Sequence, residues 1–254
     1  MPHRIACRIA SYGQYTDAAW EHLPRLGIHH VEIPVPPADE LEDTRRRLDD
    51  HGLRASSLQG ECDVSNPDLP ELIKPQLDAC RKLGAGILFL SASAGQTDLV
   101  DVYARLRAAG ELADAQGLRL ALETHPDLVT NGDVGRVTMR AVHHAGVGIN
   151  FDTANVHYYN LAADTVEELA KVLDWTVSLH LKDKAGGYQE WNFPALGEGA
   201  VDFPEVFRLL DARGFDGPCT MELEGVKGVE YSRADRLDYV ARSAAYLREI
   251  GALA

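Results

Sequence analysis

Short apolar runs of strand length alternate along the chain with longer stretches whose apolar residues recur every three or four positions. Strands are predicted at 4–10, 29–35, 53–59, 85–92, 118–124, 147–153, 176–182 and 218–224. Helices are predicted at 16–26, 38–51, 68–83, 98–116, 131–145, 164–174, 202–213 and 232–250. Gly27, Gly52, Gly84, Gly117, Gly146 and Gly214 each stand just after a helix, where a left-handed C-cap favours a residue without Cβ. Thr16, Asp68, Asp98 and Asp164 are the predicted N-caps. Strands alternating with helices over short links imply parallel pairing and right-handed crossovers. An open doubly wound sheet would show the same alternation, but it normally carries a glycine-rich phosphate turn after its first strand. Arg8-Ile-Ala-Ser-Tyr-Gly13 has no such turn. The expected fold is therefore α/β, a single (β/α)8 TIM barrel occupying 1–254. One irregular stretch, 183–201, is long enough to be functional and to cover a site.

Bulk properties narrow the class. At 254 residues the chain has the usual size of one such barrel, and its 45% hydrophobic and 25% charged residues are ordinary for a globular protein. A formal net charge of −14 argues against nucleic-acid binding, which rests on neutralising phosphates with Lys and Arg. Arg45-Arg46-Arg47 is flanked by Glu42, Asp43, Asp49 and Asp50 and reads as a solvated helix face. Cys7, Cys62, Cys80 and Cys219 have neither C-x-x-C spacing nor a disulfide-framework pattern, so they are expected to be reduced thiols. With no signal-like apolar stretch and no run long enough to span a bilayer, a cytoplasmic protein without a membrane partner is expected.

Candidate chemistry lies at the ends of the last four predicted strands: Glu123, Asp152, His180 and Glu222. The first two intervals are each about 30 residues, one βα repeat, and the last is one repeat plus the long loop. All four therefore belong at the C-terminal mouth of the barrel, where such enzymes do their chemistry. Three carboxylates and one imidazole make an oxygen-rich divalent-metal site, with Mn²⁺ the first expectation and Mg²⁺ or Co²⁺ next; the imidazole keeps Zn²⁺ and Fe²⁺ open. Glu224 shares the parity of Glu222 and is the rival fourth ligand, Glu222 being preferred as deeper in the strand. His125 and Lys182 each follow a ligand by two and so share its face. His125 is a candidate substrate contact, and Lys182 a candidate stabiliser of a developing oxyanion or a salt-bridge partner of Asp183 or Glu222. Glu32, Asn155 and His157 complete the expected substrate-binding set, with the Tyr158-Tyr159 pair beside them. Trp191, Tyr188 and Phe193 in the long loop either lid the site or pack against a second subunit, a homodimer being the default expectation.

These residues resemble the xylose-isomerase-like superfamily of sugar (phosphate) isomerases and epimerases. The resemblance rests on Leu122-Glu-Thr-His125, Asn150-Phe-Asp-Thr-Ala-Asn155, His180-Leu-Lys-Asp183, Leu196-Gly-Glu-Gly199 and Thr220-Met-Glu222. It implies metal binding by Glu123, Asp152, His180 and Glu222, with the two glutamates also acting as acid and base on opposite faces of a sugar. Two features depart from ketose 3-epimerases: Asn155 replaces the usual His, and no Arg follows His180 in 183–192. The extra metal ligands of the related DNA-repair endonucleases are missing, since Gln59 and Ser91 stand on strands three and four.

The expected function is a metal-dependent sugar isomerase or epimerase on a small carbohydrate, working by proton abstraction α to a carbonyl through an enediolate. The alternative is a lyase or dehydratase, in which the same proton abstraction leads to β-elimination from a keto sugar or dehydroshikimate-like substrate. A non-catalytic sugar- or metal-binding barrel is the third reading. Neutral substrates are favoured over phosphorylated ones, although Gly186-Gly187 and Gly225 offer backbone amides where barrel phosphate sites usually lie.

Overall fold

The computed structural model describes residues 3–254. Its elements run β1 (Arg4–Arg8), a 3-10 segment (Ile9–Ala18), α1 (Ala19–Arg25), β2 (His30–Pro34), α2 (Leu41–Asp50), β3 (Arg54–Gly60), α3 (Leu69–Leu83) and β4 (Ile87–Leu90). They continue with α4 (Leu99–Asp114), β5 (Arg119–Glu123), α5 (Gly132–Val142), β6 (Val147–Asp152), α6 (Asn155–Tyr159), α7 (Thr165–Val172) and β7 (Thr176–Leu181). The last are β8 (Asn192–Phe193), α8 (Phe203–Arg213), β9 (Pro218–Met221), β10 (Gly225–Val226) and α9 (Arg233–Glu249). Strands β1 to β7 pair in sequence order and β9 closes the barrel between β7 and β1, every neighbour parallel. The eight-stranded βα barrel read from the periodicity is the fold.

Each strand alternates between two environments. Val31, Leu58, Leu88, Leu90, Leu120, Leu122, Ile149, Phe151, Leu179 and Leu181 are buried in the hydrophobic core. The opposite positions are unusually polar: Ser57 Oγ donates to Glu32 at 2.8 Å and Ser178 Oγ to Asn150 Oδ1 at 2.7 Å, all four buried. Satisfying polar groups in pairs is what makes them tolerable without water. Two register shifts, at Val31/Glu32 and Ile149/Asn150, lie just before residues of the site. Such irregularities re-aim the side chains that follow; here Glu32 is left opposite Ser57 and Asp152 opposite His180.

Several local expectations need correction. Thr16 caps no helix: it lies inside the 3-10 segment, which is kinked at Gly13, and α1 starts only at Ala19. Asp98 and Asp164 do cap, accepting from Val100 N and Glu167 N, whereas Asp68 makes no side-chain capping bond. Gly27, Gly52, Gly84, Gly117 and Gly214 have positive φ as expected, but His143, at φ 50°, takes the left-handed position after α5. Gly146 serves close approach instead, because a Cβ there would lie 2.0 Å from Gly110 O. The helix α6, directly after Asp152, was not legible in the periodicity because it is only five residues long. The loop 183–201 is also not featureless: β8 pairs antiparallel with β10, and Asp183 gathers the turn by accepting from Gly197 N, Gly199 N and Val201 N.

Candidate metal centre

The four strand-end residues converge. Glu123, Asp152, His180 and Glu222 each offer a ligand atom within 4.8 Å of the others, all buried. Glu222 lies one residue past β9, yet its N–H still donates to Leu181 O at 3.0 Å and keeps the strand direction. Asp152 is fixed by its own turn: Oδ1 accepts from Ala154 N and Asn155 N, both at 2.8 Å, and Oδ2 is left facing the cluster. His180 Nε2 lies 3.1 and 3.2 Å from the two Glu32 oxygens. A carboxylate there favours the proton on Nε2 and leaves Nδ1 as a lone-pair donor, the arrangement that orients metal-ligating histidines.

Within the cluster, three buried atoms take part in no well-formed hydrogen bond: Asp152 Oδ2, His180 Nδ1 and Glu222 Oε2. His180 Nδ1 lies 3.2 Å from Glu222 Oε2 and 3.8 Å from Glu123 Oε1, so electron-rich atoms face one another. Lys182 reaches Asp152 Oδ2 and Glu222 Oε2 from the edge of the cluster, but His180 Nδ1 has no donor among the described residues, and buried carboxylates crowded on an imidazole lone pair are costly unless a further cation sits among them. Among the described residues, Arg8 and Lys182 are the two permanent cations ion-paired within the group of Glu32, Glu123, Asp152, Glu222 and the half-buried Glu224. The donor set therefore fits a divalent ion in both chemistry and charge.

Lys182 Nζ sits at the edge of the cluster, 2.7 Å from Glu222 Oε2, 2.9 Å from Glu224 Oε2, 3.0 Å from Asp152 Oδ2 and 3.1 Å from Asn155 Oδ1. Burial alone would lower its pKa, but Asp152, Glu224 and Glu123 outweigh it and hold the pKa raised, so it is an ammonium. Burial likewise works against ionising Glu32, yet His180 and Arg8 outweigh it and keep that group a carboxylate.

A cavity of about 290 Å³ opens beside the ligands, lined by Arg8, Gln59, Phe89, Glu123, His125, Asn155, Tyr158, Tyr159, Lys182, Trp191 and Phe193 among others. Its aromatic wall is a chain of ring contacts in which His125 meets Tyr159 at 5.0 Å, Tyr159 meets Tyr158 at 5.0 Å, and Trp191 meets Phe193 at 5.2 Å. Burial pushes the Tyr159 phenol up to about 12, with Glu123 adding to it, so the hydroxyl remains a donor at neutral pH. Trp191 and Phe193 thus face the cavity from the long loop, while Tyr188 is exposed outside it.

Of the remaining expected substrate contacts, His125, Asn155 and Lys182 line the cavity and two do not. Glu32 is 1% exposed and turned onto His180 and Ser57, which makes it a support for the imidazole rather than a group open to substrate. His157 points the other way: Nε2 lies 2.7 Å from Thr165 Oγ1, pinning α6 to α7. Glu224 pairs with Lys182 and stands outside the ligand cluster. Arg8 was not singled out from the sequence, yet its guanidinium contacts Glu222 Oε1 and donates to Gln59 Oε1 at 2.7 Å. A strand-end arginine at the height of Glu32 was its only sequence signal. All four cysteines are free, and burial pushes each thiol up to about 12, which rules them out as thiolate nucleophiles.

The chain belongs to the xylose isomerase-like TIM barrel family, whose model matches residues 20–250. It is 25% identical over 223 residues to a ketose 3-epimerase from Arthrobacter globiformis, covering 77% of this chain and 73% of that protein. An inosose dehydratase from Serratia proteamaculans is 26% identical over 157 residues, covering 55% of this chain and about half (51%) of that protein. Among solved structures, a probable 3-DHS dehydratase from Bacillus anthracis superposes with a TM-score of 0.77 at 18% identity, over 98% of this chain and 99% of that one. Relatives of the same fold thus include both epimerases and dehydratases. No helix among the described residues is long and apolar enough to cross a membrane.

Proposed function

We propose that this chain is a divalent-metal-dependent isomerase or epimerase of a small carbohydrate, acting by proton transfer at a carbon next to a carbonyl. The observation that carries the reading is a pair of glutamates, Glu123 and Glu222, reaching one buried centre from different strands beside Asp152 and the unpartnered His180 Nδ1. Glu123, Asp152, His180 and Glu222 would hold the ion, with Mn²⁺ preferred for this oxygen-rich set. A bound divalent ion would polarise the carbonyl and stabilise negative charge developing on its oxygen.

The chain's own groups supply the rest. One glutamate takes the proton from carbon and the other returns one. Return to the opposite face of the same carbon gives an epimer; return to the neighbouring carbon converts ketose and aldose. Lys182, held as an ammonium 3.1 Å from Asn155 Oδ1, stabilises an oxyanion at the cluster's edge. Arg8, anchored on Gln59, orients Glu222 through Oε1. Tyr158, Tyr159, Trp191 and Phe193 present apolar ring faces suited to a sugar's C–H surface and keep water from the intermediate. Glu32 fixes the tautomer of His180.

A second reading, β-elimination, is favoured by the likeness to an inosose dehydratase and by Lys182, an ammonium placed to hydrogen-bond a departing hydroxyl oxygen. One experiment separates the two. The Mn²⁺-loaded protein is incubated in D₂O with ketoses, aldoses and keto sugars and followed by NMR and ultraviolet absorbance. Deuterium next to the carbonyl without a new chromophore supports isomerisation or epimerisation, whereas an absorbing enone supports elimination. No exchange with any of them, despite bound metal, overturns enolisation of these substrates.

A further inference from the structure

The other end of the barrel has a different chemistry. The N-terminal ends of β1, β4 to β7 and β9 surround a cavity of about 760 Å³, within the range of small-molecule sites. Its polar lining is mainly basic: Arg4 opens β1, Arg119 opens β5, and Arg140, His143 and His144 come from the end of α5. Two acids also line it, Asp216 and Asp174, and Asp174 is already paired with Arg213 at 2.9 Å. Arg4 and Arg140 are exposed, and their side chains make no hydrogen bond or salt bridge with any described residue. Arg119 spends one donor on Ala145 O. His144 Nδ1 accepts from Gly146 N at 2.9 Å, which leaves the proton on Nε2 as a donor.

This arrangement runs against the charge of the chain. Asp and Glu outnumber Lys and Arg by 39 to 25, yet three guanidiniums gather around one hollow with little acidic company. The positive field extends along the rim: beyond burial, Arg4, Arg54 and His29 lower the pKa of His30. Guanidiniums rather than ammoniums favour planar, two-pronged recognition of phosphate or carboxylate. We infer that the N-terminal mouth of the barrel is a binding site for a small molecule bearing two or more oxyanionic groups, held by Arg4, Arg119 and Arg140 with His143 and His144 as further donors. This site is separate from the metal centre and does not depend on the reaction proposed there.

The test is calorimetric titration of the full chain at low ionic strength with 2,3-bisphosphoglycerate and with tricarballylate, paired with thermal shift. Binding of one anion per chain is expected, weakened at least fivefold by Arg140→Gln or Arg4→Gln and unchanged by Glu222→Gln at the opposite mouth. Arg140 is exposed at a helix end, so its variant keeps the fold and remains decisive if Arg4→Gln does not. Stronger binding of the bisphosphate assigns the site to phosphorylated molecules, and stronger binding of tricarballylate to polycarboxylates. Absence of heat and of stabilisation with both anions overturns the site. Binding that survives Arg140→Gln, or that is lost with Glu222→Gln, overturns it equally.

Discussion

The two mouths of this barrel are made by the same eight strands and carry opposite charge. At the C-terminal mouth, Glu32, Glu123, Asp152, Glu222 and Glu224 crowd around an imidazole, with all but Glu224 buried. At the N-terminal mouth, Arg4, Arg119 and Arg140 surround an open hollow. Burial makes the difference in consequence. Buried carboxylates need a fixed partner and so specify a cation, whereas exposed guanidiniums are solvated and can exchange water for an anion. Strong, geometrically defined effects are therefore expected from the acidic end and weaker, salt-dependent ones from the basic end.

The sharpest contrast comes from the glutamates. Glu123→Gln and Glu222→Gln should each lower the D₂O exchange rate by about 10² to 10⁴, the usual worth of a general acid or base, while Arg140→Gln leaves it unchanged. Equal loss at both ends would break the comparison. Next in size is metal removal. Chelation should abolish exchange and Mn²⁺ restore it, with Mg²⁺ and Co²⁺ as comparison ions. At a hundredfold excess of ion over its Kd, binding should add about 2.7 kcal/mol of stability, readable as a Tm several degrees higher.

Glu32→Gln probes the support rather than the ligands. A carboxylamide still fills the space but holds the imidazole less firmly, so metal affinity should fall by about 10- to 100-fold. The measurement is competition with a metallochromic chelator, and an unchanged affinity would remove Glu32 from the site. A purely steric test sits near the basic end. Gly146→Ala drives a Cβ against Gly110 O, 2.0 Å away if nothing shifts, and should cost about 1–3 kcal/mol in chemical denaturation without altering metal affinity.

The smallest effect is on pH dependence. Burial lowers the His157 pKa below 6.5, and Asp164 only partly offsets it. The unfolded chain therefore takes up a proton before the folded one does. The stability held by the neutral ring is complete above about 6.5 and declines as pH falls towards the folded value. His157→Gln should flatten this part of the denaturation-midpoint profile, and a profile unchanged in slope would assign it to other groups.

Much of this was legible in the sequence. Short apolar runs alternating with helix-period stretches led to the barrel, because each strand must bury one face against helices wherever it falls. Spacing of one repeat brought Glu123, Asp152 and His180 to one height, since a parallel barrel returns to the same mouth after every βα unit. Capping was legible where it is local, as at Asp98 and Asp164. The rest was decided by contacts between residues far apart in the chain. Arg8 meets Glu222 only because β9 closes onto β1, and Glu32 meets His180 only across the barrel's interior. His157 and Asn155 are two residues apart on one short helix, yet one turns to Thr165 and the other to the cavity. His143 takes the cap expected of Gly146, whose missing Cβ instead makes room for Gly110 O from the distant helix α4. Which elements form and which end of each strand bears chemistry can be read from the chain alone, because periodicity and repeat length are local. Which side chains face one another, and with what charge left over, belonged to the tertiary structure, because closure joins strands the chain order keeps apart.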